Sequence, residues 1–173
     1  MQRFLGILAA SLISFVASDA LAEAKVVLQK THICCPRCEK VAGEVLQKAG
    51  VTGSASKQDG SITFTAADDK AAQKVIDDLA AAGFHGVVDS KTLSVKDDSG
   101  AKAGKVTSVT LKGIHNCCGM CNTSIKNAIK KVSGVESDDA KVNNTTVTVK
   151  GNFDAKDLVK ALNDAGFHAT VSE

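Results

Sequence analysis

Six cysteines fall in two clusters: His32-Ile33-Cys34-Cys35-Pro36-Arg37-Cys38 and His115-Asn116-Cys117-Cys118-Gly119-Met120-Cys121. Each cluster spells His-x-Cys-Cys-x-x-Cys. The other two histidines also repeat, in Gly83-Phe84-His85 and Gly166-Phe167-His168, and every paired position is separated by 83 residues. Soft thiolate and imidazole donors gathered in this way suit thiophilic ions such as Cu(I), Zn(II) or Hg(II). The candidate ligands are therefore Cys34, Cys35, Cys38 and His32 in the first cluster, and Cys117, Cys118, Cys121 and His115 in the second.

The two halves have drifted apart elsewhere. Between 32–50 and 115–133 only five of nineteen positions are identical, and four of those five are the His and the three Cys. Between 71–88 and 154–171 seven of eighteen agree, including the run Ala82-Gly83-Phe84-His85. Retention at donor positions against a drifting background points to a constraint on those side chains.

A net charge of +2 makes no electrostatic case for nucleic acid, and the absence of Tyr and Trp leaves few platforms for base stacking. Residues 1–22 read as a secretory signal peptide: Arg3, an apolar run from Phe4 to Ala17, then Ala20-Leu21-Ala22 as the cleavage site. The apolar run is short for a bilayer span of ~20 residues. The expectation is a mature protein without a membrane span, periplasmic or extracellular. In such a compartment thiols tend to become disulfides. Three cysteines per half is an odd number, however, and loops so short constrain little of the unfolded chain. A purely structural disulfide role is disfavoured.

The elements that must position these loops follow from periodicity. In the first half, 25–30 reads as a strand, and Val41, Val45, Leu46 and Ala49 mark a helix after the Cys loop. Residues 53–57 and 61–65 form a hairpin about Asp59-Gly60, 68–82 a second helix, and 86–88 a last strand. The second half repeats the order: a strand at 106–112, a helix at 121–132 and a hairpin of 140–142 with 146–149 turning at Asn143-Asn144. A helix at 154–165 and a strand at 169–171 complete it. Residues 96–105 are polar and rich in Gly and Ala, and read as a flexible linker. The organisation expected is a signal peptide at 1–22, a first domain at 23–95, a linker at 96–105 and a second domain at 106–173. Each domain is α+β, with βαββαβ order and a four-stranded antiparallel sheet.

With this order in place, 25–90 and 106–172 each resemble a heavy-metal-associated domain. This is the ferredoxin-like module of copper chaperones, copper-pump amino-terminal repeats and periplasmic mercury-binding proteins. The resemblance rests on the strand–Cys loop–helix opening, the element order and Ala-Gly-Phe after the second helix. In that family a Met-x-Cys-x-x-Cys loop binds the metal. Aligning Cys-x-x-Cys puts the pairs at Cys35/Cys38 and Cys118/Cys121, with Ile33 and Asn116 at the Met position. Placing His32 and His115 there instead inserts one residue and makes Cys34 and Cys117 the first cysteines. Both registers stand on the sequence. Either way each loop carries a thiol and an imidazole beyond the family's two cysteines.

His32 and Cys34 are two residues apart at the end of a strand and can face the same side. The resemblance implies that His85 and His168 lie in a loop beside the metal loop, supporting the ligands or supplying a fourth one. Phe84 and Phe167 read as core residues, Met120 as exposed, and Lys40, Lys126 and Lys130 as a solvated helix face. No catalytic constellation is visible, so no enzyme activity is expected. The function expected is extracytoplasmic binding and carriage or sequestration of a thiophilic metal, Cu(I) favoured, with one site per domain. A metal transporter or another metal-binding protein is the partner this implies. The alternative is a thiol–disulfide redox protein using the Cys-x-x-Cys pairs.

Overall fold

The computed structural model describes residues 23–172, so the signal-peptide expectation lies outside the described residues. The first unit runs β1 (Ala24–Gln29), α1 (Pro36–Lys48), β2 (Thr52–Ser56), β3 (Ser61–Ala66), α2 (Asp69–Ala81) and β4 (Val87–Val88). The second runs β5 (Lys105–Lys112), α3 (Gly119–Lys130), β6 (Val135–Asp138), β7 (Val147–Asp154), α4 (Ala155–Asp164) and β8 (Thr170–Ser172). The sheets have strand orders β2-β3-β1-β4 and β6-β7-β5-β8, and all pairings are antiparallel. Both units are ferredoxin-like α+β folds, as the element order predicts.

The sequence pattern explains most of this locally. Side chains along β1 alternate buried and exposed, so Ala24, Val26 and Leu28 face the helices. In α1, Cys38, Ala42 and Leu46 recur every fourth residue and are buried, which turns the metal-loop end of the helix into the core. In α2, Ala72, Val75, Ile76 and Leu79 form the buried stripe, and Asp68 caps the helix by accepting from the Ala71 N–H at 2.7 Å. The largest buried side chains include Phe84, Phe153, Phe167, Leu28 and Leu111.

The second hairpin differs from expectation. Its first strand is Val135–Asp138 rather than 140–142, pairing with β7 through a bulge between Val135 and Ser137. Gly134 and Gly151 allow this register. A Cβ on Gly134 would lie 2.0 Å from the Asn152 carbonyl oxygen, and one on Gly151 would lie 2.1 Å from that of Gly134. Residues 139–146 instead turn beneath the second Cys loop. There the Asn143 N–H donates to the Asn116 carbonyl at 2.7 Å, and Asn116 Nδ2 donates to the Lys141 carbonyl at 2.8 Å.

Residues 96–104 form no regular element, but they are tied down. Ser99 is buried, and its carbonyl accepts from the Val171 N–H at 2.7 Å. Asp98 pairs with His168 at 2.9 Å, and the Gly104 N–H donates to Asp154 at 2.8 Å. Composition reads this stretch as flexible because its polar side chains also make good anchors. No helix among the described residues is long and apolar enough to cross a membrane.

Candidate metal centre

Helices α1 and α3 begin one residue after Cys35 and Cys118, which stand in extended backbone as their N-caps. Neither helix has a side-chain cap. The positive end of each helix dipole therefore lies at its Cys loop. Cys38 and Cys121 follow in the first turn and are fully buried. The helix start thus places Cys35-x-x-Cys38 and Cys118-x-x-Cys121 in equivalent positions. Cys34 and Cys117 are the additional donors.

The sequence places one site in each unit, whereas the structure brings the two loops together face to face. Cys34 Sγ lies 3.4 Å from Cys121 Sγ, 3.6 Å from Cys118 Sγ and 3.7 Å from Cys38 Sγ. Cys38 Sγ lies 3.6 Å from Cys117 Sγ and 3.7 Å from Cys121 Sγ. Cys35 is 3.6 Å from Cys38 and 4.0 Å from Cys117, and Cys121 is 3.6 Å from Cys118 and 3.8 Å from Cys117. All six cysteines are free thiols. With metal–sulfur bonds of about 2.3 Å, sulfurs lie about 3.8 Å apart around a tetrahedral ion and about 4.0 Å apart around a trigonal one. The cluster needs only a few tenths of an ångström of spreading to take either.

The histidines of the motif reach the same cluster. His115 lies with Cys38, Cys117 and Cys121, and His32 with Cys34 and Cys121, all donor atoms within 4.8 Å of one another in each group. Nε2 of both rings is buried without a hydrogen-bond partner. Each ring is held by the other unit: His32 stacks on Phe167 at 4.4 Å, and His115 packs on Phe84 at 4.5 Å.

The electrostatics are those of crowded thiols sharing few charges. Cys38 is pulled down to about 2, first by its hydrogen bond with Cys121, with further help from His115 and Cys117. Cys121 is pushed the other way by the same hydrogen bond and by burial. Burial, then hydrogen bonding to other cysteines and the charge on Cys38, raises Cys34 above the usual thiol range. Cys117 rises to about 12 through burial and the neighbouring Cys38. Burial opposes ionisation of Cys118, but its hydrogen bonds with Cys121, Cys34 and Cys35 bring it to about 7. Thiolates this close repel one another, and a cation among them removes that cost. Burial lowers the His32 pKa, which keeps its ring neutral and able to donate to a metal.

His85 and His168 occupy a different place. Their rings stack on each other at 5.9 Å across the junction between the units, and His168 Nε2 pairs with Asp98. Burial and the charge of His168 lower His85 to about 4, and the other charges facing it are Asp164, Asp97 and Asp98. Their surroundings are carboxylates and each other, rather than thiols.

The junction itself is not legible in the sequence. Phe84 and Phe167 are core residues, as expected, but they also form an antiparallel bridge between the units. The His85 N–H donates to the Gly166 carbonyl at 3.1 Å, and the His168 N–H to the Gly83 carbonyl at 3.0 Å. Gly83 and Gly166 lie against the opposite metal loops, where a Cβ would be 2.4 Å from the backbone nitrogen of His115 and of His32 respectively. The repeated Ala-Gly-Phe-His run was the signal for this contact. Nothing in the sequence marks Arg37, whose Nη1 donates to the Cys117 carbonyl at 2.9 Å and to Asn143 Oδ1 at 3.1 Å. Met120 is exposed as expected; Lys126 pairs with Asp138, and Lys40 with Glu44 at 4.0 Å.

The sequence model of the family described as "Heavy-metal-associated domain" matches residues 108–168. No curated protein matches the chain. Among solved structures, the PacS N-terminal domain from Synechocystis PCC6803 is 29% identical, covering 39% of this chain and 100% of that one, with a TM-score of 0.37. Oxidized MerP from Ralstonia metallidurans CH34 is 32% identical, covering 38% of this chain and 96% of that one, with a TM-score of 0.34. The N-terminal soluble domains of Bacillus subtilis CopA are 18% identical, covering 88% of this chain and 95% of that one, with a TM-score of 0.32. The family match over the second unit, together with the same element order and Cys loop in the first, identifies the chain as a heavy-metal-associated-domain protein.

Proposed function

We propose that this chain binds a thiophilic metal ion through its facing Cys loops and carries or sequesters it outside the cytoplasm, with Cu(I) as the favoured cargo. The observation that carries this reading is the set of six free sulfurs at metal-ligand spacing, with two unpartnered imidazole nitrogens beside them. Thiolates select Cu(I), Zn(II) or Hg(II) over hard ions. The preference for Cu(I) is supported by the resemblance of the Cys loops to those of copper chaperones and by sulfur triangles that suit trigonal coordination. The extracytoplasmic location rests on the sequence pattern of residues 1–22. Cys35 and Cys118 are partly exposed, which would let another metal-binding protein or a transporter exchange metal with the cluster.

Native mass spectrometry of the reduced chain offered Cu(I), Zn(II) and Hg(II) tests this. Retention of thiophilic ions, with Cu(I) held against the strongest competing chelator, is the expected result. A chain that retains none of them is not a metal carrier. The lowered pKa values of Cys38 and Cys118 also favour a second reading, thiol–disulfide exchange. Turnover in a disulfide-reduction assay by the metal-free chain would support that reading instead.

A further inference from the structure

We propose that the two units exchange ligands. One ion is held by Cys35 and Cys38 of the first unit with Cys117 of the second, and another by Cys118 and Cys121 of the second unit with Cys34 of the first. This rests on the metal-binding reading above and assigns a role to the third cysteine of each loop.

The sulfur distances carry the assignment. Cys34 Sγ is nearer to Cys121 (3.4 Å) and Cys118 (3.6 Å) of the other unit than to Cys38 of its own loop (3.7 Å). Cys117 Sγ is nearer to Cys38 (3.6 Å) than to Cys121 of its own loop (3.8 Å). One single-loop group, Cys34–Cys35–Cys38, gathers within 4.8 Å; four sulfur triangles close through hydrogen-bonded edges of 3.4 to 4.0 Å: Cys34–Cys38–Cys121, Cys34–Cys118–Cys121, Cys35–Cys38–Cys117 and Cys38–Cys117–Cys121. Each of them takes sulfur from both units.

Two ions at the centres of triangles that share an edge would crowd each other. With sides of about 3.7 Å their centres lie only about 2 Å apart, shorter than a single metal–sulfur bond of about 2.3 Å. Only one pair of these triangles shares no sulfur, and that pair uses all six: Cys35–Cys38–Cys117 and Cys118–Cys121–Cys34. The repeat relates one to the other.

The histidines fit the same division. His115 gathers with Cys38, Cys117 and Cys121, and His32 with Cys34 and Cys121, so each imidazole stands beside two sulfurs of one triangle. Each imidazole is backed by a phenylalanine of the opposite unit. Loading the centre therefore clamps the two units together. A two-cysteine loop alone would leave Cys34 and Cys117 without a metal role.

The test uses the reduced full chain loaded with 113Cd(II), a thiophilic probe whose nuclear spin couples to the β-protons of its cysteine ligands. The expected result is two cadmium resonances. One correlates with Cys35, Cys38 and Cys117, and the other with Cys118, Cys121 and Cys34. Cys117→Ser should remove or shift the resonance correlated with Cys35 and Cys38 and leave the Cys118/Cys121 resonance in place. Correlations confined to each loop's own cysteines, or a single resonance joined to all six, would overturn the exchange while leaving metal binding intact. No bound cadmium at all would instead overturn the metal-binding reading on which it rests.

Discussion

Replacing Gly166 by Ala tests whether the junction between the units builds the metal centre. Gly166 has φ +85°, a left-handed conformation that costs an L-residue about 1–2 kcal/mol. The new Cβ would stand 2.4 Å from the backbone nitrogen of His32, where ordinary contact begins at 3.4 Å, so the backbones must separate by the difference of 1.0 Å. That movement strains the hydrogen bonds that the Gly166 carbonyl accepts from His32 at 3.3 Å and His85 at 3.1 Å, worth about 1 kcal/mol each. The junction should weaken by about 2–4 kcal/mol in all. The sulfur edges span only 3.4 to 4.0 Å, so a shift of this size takes Cys34 out of reach of Cys118 and Cys121. If binding must restore the geometry, Cu(I) affinity falls by roughly 30- to 800-fold. Competition titration against a Cu(I) chelator measures this, with Gly43→Ala as the control, because a Cβ there meets nothing within 4 Å. A Gly166→Ala chain that keeps both its affinity and its denaturation midpoint would refute the reasoning.

Metal loading at pH 7 should release protons, because Cys34, Cys117 and Cys121 are held protonated well above neutrality. Calorimetry in buffers of differing ionisation enthalpy counts them, and apparent affinity should rise with pH. His85 has its folded pKa at about 4, below the ordinary value of 6.5, so the unfolded chain takes up the proton first. The stability from this group is complete above pH 6.5 and declines as pH falls toward 4; His85→Gln should flatten the denaturation midpoint over that window. Phe153→Ala empties a fully buried site in the second unit and should cost about 3–5 kcal/mol in urea denaturation. Arg37→Ala removes the donor to the Cys117 carbonyl and to Asn143, and should loosen the second loop, read as faster amide exchange at Asn116 and Cys117 with little change in the core.

The elements were legible wherever one physical signal dominated. The alternation of Val26 and Leu28 with exposed neighbours specifies a half-buried strand, and the spacing of Ala72, Val75, Ile76 and Leu79 a helix. The cysteines and histidines of the two loops stand out because the repeat keeps them while its surroundings drift. The sequence misplaces β6: Val135-Glu136-Ser137-Asp138 alternates poorly, and its register depends on the backbone approach of Gly134 to Gly151 and Asn152. The meeting of the two loops was not legible either. It depends on surfaces 83 residues apart fitting one another, through Gly83 and Gly166 against the opposite loops and Phe84 and Phe167 against the opposite histidines. The sequence shows a third cysteine in each loop; only the structure shows which sulfurs it faces.

Metal-edge X-ray absorption on the Cu(I)-loaded, reduced chain tests the central claim most directly, because it counts the atoms bound to the ion. The account predicts about three sulfurs per copper at about 2.3 Å. Two sulfurs in a linear arrangement would leave Cys34 and Cys117 outside the centre, and a shell of nitrogen and oxygen without sulfur would contradict thiolate binding altogether.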